Sequence, residues 1–365
     1  MLNNTSSITF DAFLKVLKNI NIDGMIGDNN PENILSCINY FEYSDEVPIT
    51  VFSFEQIFGR KISSLPPVLY PGGETEAYER IDRYFESNHW YLHFMKDKLS
   101  DMHGIKKREF IISPYMSRGC LSSKYYFLRL KKTLGQSDLM NRSSLMQREY
   151  YHYMNYIEPN FLSYKNNIFS PQIAWHENRS ELQQFLRVIL VKIRAICNII
   201  QGNTGFPVID ALIRQTINEG WTDNYGRVLL VNFVTTCGLY NSWEEGARFF
   251  FRYNIDFDSP VCYGCWIDYS SRYPVFENIA KLCMEHDPEG SLIRTYVTEL
   301  NDYPKEYMFE PHKAPIEVQK QANCIIGIDY PMPLFDAEER VQINQNIYND
   351  YSNESVQKSH KRNIN

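Results

Sequence analysis

From Gly73 onward, apolar side chains recur at three- and four-residue spacing, the period that places them on one face of a helix. The run Ala77-Tyr78-Glu79-Arg80-Ile81-Asp82-Arg83-Tyr84-Phe85 shows this spacing, and the stretches Ser122 to Lys132 and Ser144 to Asn155 repeat it. Glu181 through Ile200 reads as a longer apolar helix, with no alternating strand runs around it. Gly202-Asn203, Gly220 and Gly290 mark short loops between helices. This patterning predicts an all-α architecture.

A chain of 365 residues can bury a large core, and 44% apolar with 15% aromatic content describes a globular protein. No apolar stretch reaches membrane-spanning length, and Met1-Leu2-Asn3-Asn4-Thr5 carries no basic-then-apolar export signal. A soluble intracellular protein, cytoplasmic or nuclear, is expected. Eight cysteines without a regular framework fit a reducing compartment. The pair Cys262-x-x-Cys265 has no second pair or histidine cluster near it, so no metal site is expected.

A net charge of −7 gives no overall attraction for a phosphate backbone and disfavours nucleic acid as a partner. Local basic groups occur at Lys106-Lys107-Arg108, at Lys124 with Arg129, Lys131 and Lys132, and in the tail Lys358-Ser359-His360-Lys361-Arg362. Each reads first as a solvated surface.

Several runs follow one another in a fixed order. They are Tyr70-Pro71-Gly72-Gly73-Glu74-Thr75-Glu76-Ala77, Ile112-Ser113-Pro114-Tyr115-Met116-Ser117-Arg118-Gly119-Cys120-Leu121-Ser122 and Thr204-Gly205-Phe206-Pro207-Val208-Ile209-Asp210-Ala211. Glu219-Gly220-Trp221, Ser242-Trp243-Glu244-Glu245-Gly246, Asp287-Pro288-Glu289-Gly290 and Cys324-Ile325-Ile326-Gly327-Ile328-Asp329-Tyr330-Pro331 continue the series. Together they resemble the flavin-binding half of the cryptochrome/photolyase family, over roughly residues 65 to 335. The resemblance is to animal cryptochromes, (6-4) photolyases and insect-type cryptochromes in particular.

That resemblance implies an all-α FAD-binding domain over 66–335, in two lobes of about 66–200 and 201–335. Residues 1–65 hold one amphipathic segment, Phe10 to Leu17, and an irregular stretch ending at Leu65-Pro66-Pro67. In the family, sequence of this kind joins an N-terminal α/β antenna domain to the flavin domain, and the antenna domain is expected to be missing here. Much of 181–200 reads as an insertion relative to the family. The polar, Asn-rich tail at 336–365 is expected to be partly disordered.

A folded FAD needs cations or helix N-termini for its pyrophosphate, and carboxylates or amides at the edge of its isoalloxazine ring. The resemblance places Arg148 near the phosphates, Asn224 and Arg227 against the ring, and Asp256 and Asp258 at the ring edge, with Ser113 as a further cofactor contact. Arg227 and Asp256 are expected to form a buried ion pair. The resemblance also implies an electron relay of Trp266 nearest the flavin, Trp243 in the middle and Trp175 outermost. Trp221 reads as an ordinary core residue. Cys262 stands where repair enzymes commonly carry asparagine and insect-type light-sensing cryptochromes carry cysteine. A thiol cannot donate to and accept from a reduced ring as an amide does, so it favours a different resting redox state.

The departures are as informative. Glu109-Phe110 replaces a threonine/serine pair that grips phosphate, and a carboxylate there repels an anion unless it turns outward. Lesion-binding positions are changed: Gln147 and Asp268 stand for tryptophans, Ser144 for a glutamate, and the histidine of (6-4) repair has no match in Thr222-Asp223-Asn224. A flipped-out base needs stacking surfaces that these residues lack. The expectation is therefore a cryptochrome-like flavoprotein with a protein partner, responding to light or redox state. A cofactor-poor scaffold for protein or nucleic-acid partners is the alternative, and DNA photolyase the weaker one.

Overall fold

The computed structural model describes residues 9–18, 53–59, 61, 68–86, 111–134, 144–170, 173, 175 and 202–362. Among them the backbone is helical, with no strand beyond an isolated bridge between Ile326 and Tyr330. The helices are α1 (Phe10–Lys18), α2 (Phe54–Phe58), α3 (Glu74–Glu86), α4 (Ser113–Ser117), α5 (Ser123–Leu134), α6 (Ser144–Ile157) and α7 (Pro207–Glu219). Then follow α8 (Asn224–Val234), α9 (Trp243–Tyr253), α10 (Ser259–Ile267), α11 (Ile279–His286), α12 (Ser291–Tyr296), α13 (Ile316–Gln321) and α14 (Ala337–Arg362). The expected helix over 181–200 and the pair Glu109-Phe110 lie outside the described residues.

Local chemistry sets the helix boundaries. Asp223, Ser242 and Asn278 sit in extended or turn backbone, and their side-chain oxygens accept from the first free N–H groups of α8, α9 and α11. Helix α7 starts at Pro207, whose missing N–H costs nothing there, and ends at Gly220 in the left-handed region. Residues 207–216 of α7 are buried all round, which makes it a central helix. It lies against α8 and α12, while α6 packs on α1 and α10, and α9 packs on α8 and α10.

Asp210, on α7, is fully buried and accepts from Thr204 N and Oγ1 at 2.8 Å each, from Gly205 N at 3.2 Å and from the Tyr330 hydroxyl. This node ties the loop before α7 to the 325–333 turn. Tyr330→Phe leaves Asp210 short of one donor in a dry site and is expected to lower stability by about 1–3 kcal/mol, read as a shift in urea midpoint at unchanged slope.

The first part of the polar tail is anchored to the helical body. The backbone of α14 runs helical to Arg362. The Asn344 side-chain amide donates to the carbonyls of Thr236 and Gly238 at 2.9 Å, and Tyr348 donates to Ser271 O at 3.1 Å. Val341, Asn344 and Tyr348 fall at three- and four-residue spacing, so a mostly polar segment still docks along one stripe.

Candidate functional site

Two ion-pair networks meet at the start of α10. In the first, Ile255 N donates to Gly220 O at 2.8 Å, pinning the chain after α9 against the end of α7 and placing Asp256 opposite Arg227 on α8. Arg227 Nη2 donates to both Asp256 carboxylate oxygens at 2.8 and 3.0 Å, and its Nε donates to Thr222 O at 3.0 Å. Ser113 Oγ donates to Asp256 at 2.7 Å, and Trp221 Nε1 donates to Ser113 Oγ at 3.2 Å. The Asp256 side chain is 4% exposed and that of Arg227 19%. Burial opposes the Arg227 charge, but the neighbouring Asp256 outweighs it and holds the guanidinium protonated.

In the second network, Asp258 is the N-cap of α10 and accepts from Arg148 Nη2 at 3.1 Å and from His152 Nε2 at 3.2 Å. Arg148 and His152 are one turn apart on α6, so both reach the same carboxylate. Arg148 also donates to Glu149 at 2.7 Å. Burial pushes the Asp258 carboxyl up, but His152 and Arg148 outweigh it and hold the group below its ordinary 3.8. A depressed carboxyl pKa adds stability above the unfolded-state value and loses it as pH falls through the folded one. Asp258→Asn is therefore expected to cost a constant amount of melting temperature at neutral pH, and the gap to the native chain should close from about pH 5 downward.

Cys262 stands one turn into α10 and is partly buried. Burial pushes its thiol well up, and it feels the charges of Arg227, Asp256 and Asp258, which puts it between the two networks. Asn224 opens α8, is exposed, and hydrogen-bonds through its side chain to Tyr269. Beside Pro114 and Ile255 lies a cavity of about 490 Å³, also lined by Tyr70, Arg118 and Glu219.

Trp266, at the end of α10, is 1% exposed and lies directly on Gly246 of α9, where a Cβ would come within 2.0 Å of its ring. It contacts the Phe250 ring at 5.4 Å between centroids, and the Arg227 guanidinium lies 5.8 Å from that same ring. Trp266 Nε1 is buried without a hydrogen-bond partner among the described residues. Trp243 is fully buried, donates to Ser170 Oγ at 3.0 Å and meets Tyr263 edge-on at 5.7 Å. Trp175 rests against Tyr240 at 5.2 Å.

Gln147 and Asp268, the two residues expected to replace lesion-binding tryptophans, are joined. Gln147 Nε2 donates to the Tyr151 hydroxyl at 2.9 Å, and Tyr151 donates to Asp268 Oδ2 at 3.0 Å. Arg272 donates to Asp268 Oδ1 at 2.9 Å and to the Tyr150 hydroxyl at 2.8 Å. Asp268 and Arg272 bound a π-helical turn, a geometry found disproportionately at functional sites. Ser144 is the exposed first residue of α6.

Sequence reasoning missed Trp221, which donates to Ser113 rather than serving as plain core, and also His152, Phe250 and Tyr151. The capping position of Asp258 two residues after Asp256 was the one local signal available. The basic group at 124–132 is partly neutralised, since Arg129 pairs with Asp82 at 2.7 Å. No group of histidine, cysteine and carboxylate side chains among the described residues could hold a metal, and no helix there is long and apolar enough to cross a membrane.

A family profile described as the FAD binding domain of DNA photolyase matches residues 141–350. A (6-4) DNA photolyase of Oryza sativa is 34% identical over 279 residues, covering 73% of this chain and 48% of the relative. Cryptochrome-1 of Sylvia borin is 30% identical over 325 residues, 86% of this chain and 50% of the relative. Among solved structures, a Synechocystis cryptochrome superposes with a TM-score of 0.61 at 22% identity over 78% of this chain and 59% of that one. A class III photolyase from Agrobacterium tumefaciens gives 0.63 at 20% identity over 78% and 57%. The chain belongs to the cryptochrome/photolyase family and carries its all-α FAD-binding domain. It spans about half the length of the curated relatives it matches.

Proposed function

We propose that this is a cryptochrome-like flavoprotein which holds one FAD at the junction of α6, α8 and α10 and acts through a protein partner rather than by repairing DNA. The observation that carries this reading is the meeting of the two ion-pair networks at the N-terminus of α10, the helix that bears both Cys262 and Trp266. The donor set suits a flavin nucleotide: cations for phosphate, carboxylates and a thiol for the ring edge, and a buried indole N–H without a partner. In this reading Arg148 serves the phosphates, Arg227 and Asn224 lie against the ring, Asp256 fixes Arg227, and Ser113 and Asp258 complete the edge. Bound FAD supplies one-electron redox chemistry and absorption of blue light. Trp266, Trp243 and Trp175 supply the electrons, and the charge change beside Asp256 and Cys262 biases a neighbouring surface toward or away from its partner.

Gln147 and Asp268 support the non-repair part of this reading. Where two aromatic walls would take a flipped-out base, a polar bridge through Tyr151 joins the positions. The test is illumination of the native protein with blue light. Absorbance should bleach and recover, and Trp266→Phe should abolish the bleaching while leaving the starting spectrum intact. Lesion disappearance in an illuminated DNA assay would overturn the non-repair part.

One observation favours a second reading. Both site cations are already neutralised, by Asp256 and Asp258, and Glu149 adds a further negative charge. With no surplus positive charge for a pyrophosphate, the chain would be a cofactor-poor scaffold that binds protein, or single-stranded nucleic acid, by its surface.

A further inference from the structure

We propose that Tyr151 is a redox-active side chain with Asp268 as its built-in base, and that it is where a hole formed on Trp266 comes to rest. The proposal rests on the relay reading above for its physiological oxidant, but not for its chemistry.

An indole that loses an electron becomes a strong acid, and it keeps the hole in place only if a base takes its proton. Among the described residues, none of the three relay tryptophans has such a base. Trp266 Nε1 and Trp175 Nε1 are buried with no partner among the described residues, and Trp243 Nε1 faces only the Ser170 hydroxyl at 3.0 Å. Tyr151 differs. Its hydroxyl donates to the Asp268 carboxylate at 3.0 Å, within the reach a general base needs.

The surroundings suit the task. Tyr151 is 3% exposed and Asp268 2%, so a neutral phenoxyl radical would be shielded from solvent. Gln147 donates to the phenol oxygen at 2.9 Å, an interaction that survives loss of the proton. Arg272 holds the other Asp268 oxygen at 2.9 Å and keeps the carboxylate oriented. Burial pushes the Asp268 carboxyl up, which makes it a better proton acceptor than an exposed aspartate, though Arg272 and Tyr151 oppose this. The Tyr151 ring lies against Gly264, where a Cβ would come within 2.2 Å, and so abuts the backbone of α10 two residues before Trp266.

The step balances. One electron passes from the Tyr151 phenol to the oxidised Trp266 indole, restoring the tryptophan, and one proton passes from the phenol oxygen to Asp268 Oδ2. The products are a neutral tyrosyl radical and a neutral carboxylic acid. The primary oxidant is photoexcited oxidised flavin or any external one-electron oxidant.

The experiment uses the purified full chain and flash-generated tris(bipyridyl)ruthenium(III) as oxidant, with electron paramagnetic resonance as readout. The native chain should give a persistent tyrosyl signal that narrows when ring-deuterated tyrosine is incorporated. Tyr151→Phe, which removes one hydroxyl, should lose that signal, and Asp268→Asn should form it about a hundredfold more slowly. The same persistent signal in Tyr151→Phe overturns the proposal, as does a native signal unaffected by deuterated tyrosine. A Tyr151 radical formed by the ruthenium oxidant but not by blue light supports the tyrosine assignment and counts against the flavin reading alone.

Discussion

Asp256→Ala is expected to lower stability by about 3–5 kcal/mol and to abolish retention of flavin through gel filtration. The large cost comes from what remains. Arg227 keeps its charge in a mostly buried position, with Thr222 O as its remaining acceptor, and Ser113 loses the carboxylate it donates to. Removing one partner of a buried pair costs far more than the pair itself contributes, because the survivor is desolvated without compensation. Asp256→Asn keeps the shape and one acceptor oxygen, so its loss of stability should be clearly smaller while flavin retention still suffers. Chemical denaturation at unchanged slope measures the first effect, and the flavin absorbance of the protein peak measures the second.

Gly205→Ala is expected to cost more than about 3 kcal/mol and to leave little folded protein in the cell. Gly205 has φ of +76°, and a Cβ there would lie 2.3 Å from Met332 O and 2.5 Å from Pro333 Cα. Both are backbone atoms, held in place because Leu334 N donates to Thr204 O at 3.1 Å, and neither can swing aside. The clash also falls on the Asp210 node, which takes a hydrogen bond from Gly205 N. Gly72→Ala is the control: no atom of the described residues lies within 4 Å of its Cβ position, and its melting temperature should scarcely move.

The helical class was legible because apolar spacing reports directly on which face of a segment is buried. The family resemblance added the pairing of Arg227 with Asp256, because both residues fall at positions that pair in the family. Other parts of the site could not be read that way. Tyr151 reaches Asp268 only because α6 crosses α10, and Gln147 enters the same chain of hydrogen bonds through Tyr151. Nothing in the sequence around either residue announces the other. His152 carries no local signal of its role, which depends on Asp258 lying opposite it. Trp221 read as core for a sound reason, since most half-buried tryptophans are, and its role depends on where Ser113 falls. The docking of the first part of α14 was hidden by its composition: its anchors include an asparagine and a tyrosine, whose hydrogen bonds to Thr236, Gly238 and Ser271 carry no apolar signature.

The most direct test of the central claim, that Arg148, Arg227, Asp256 and Asp258 frame a flavin site, is the FAD content of the native protein. Purified chain, denatured and assayed by absorbance after ultrafiltration, should release close to one FAD per polypeptide, and Asp256→Ala should release almost none. A colourless native protein that also fails to take up FAD on reconstitution would contradict the account, leaving a member of the family that keeps the fold without its cofactor.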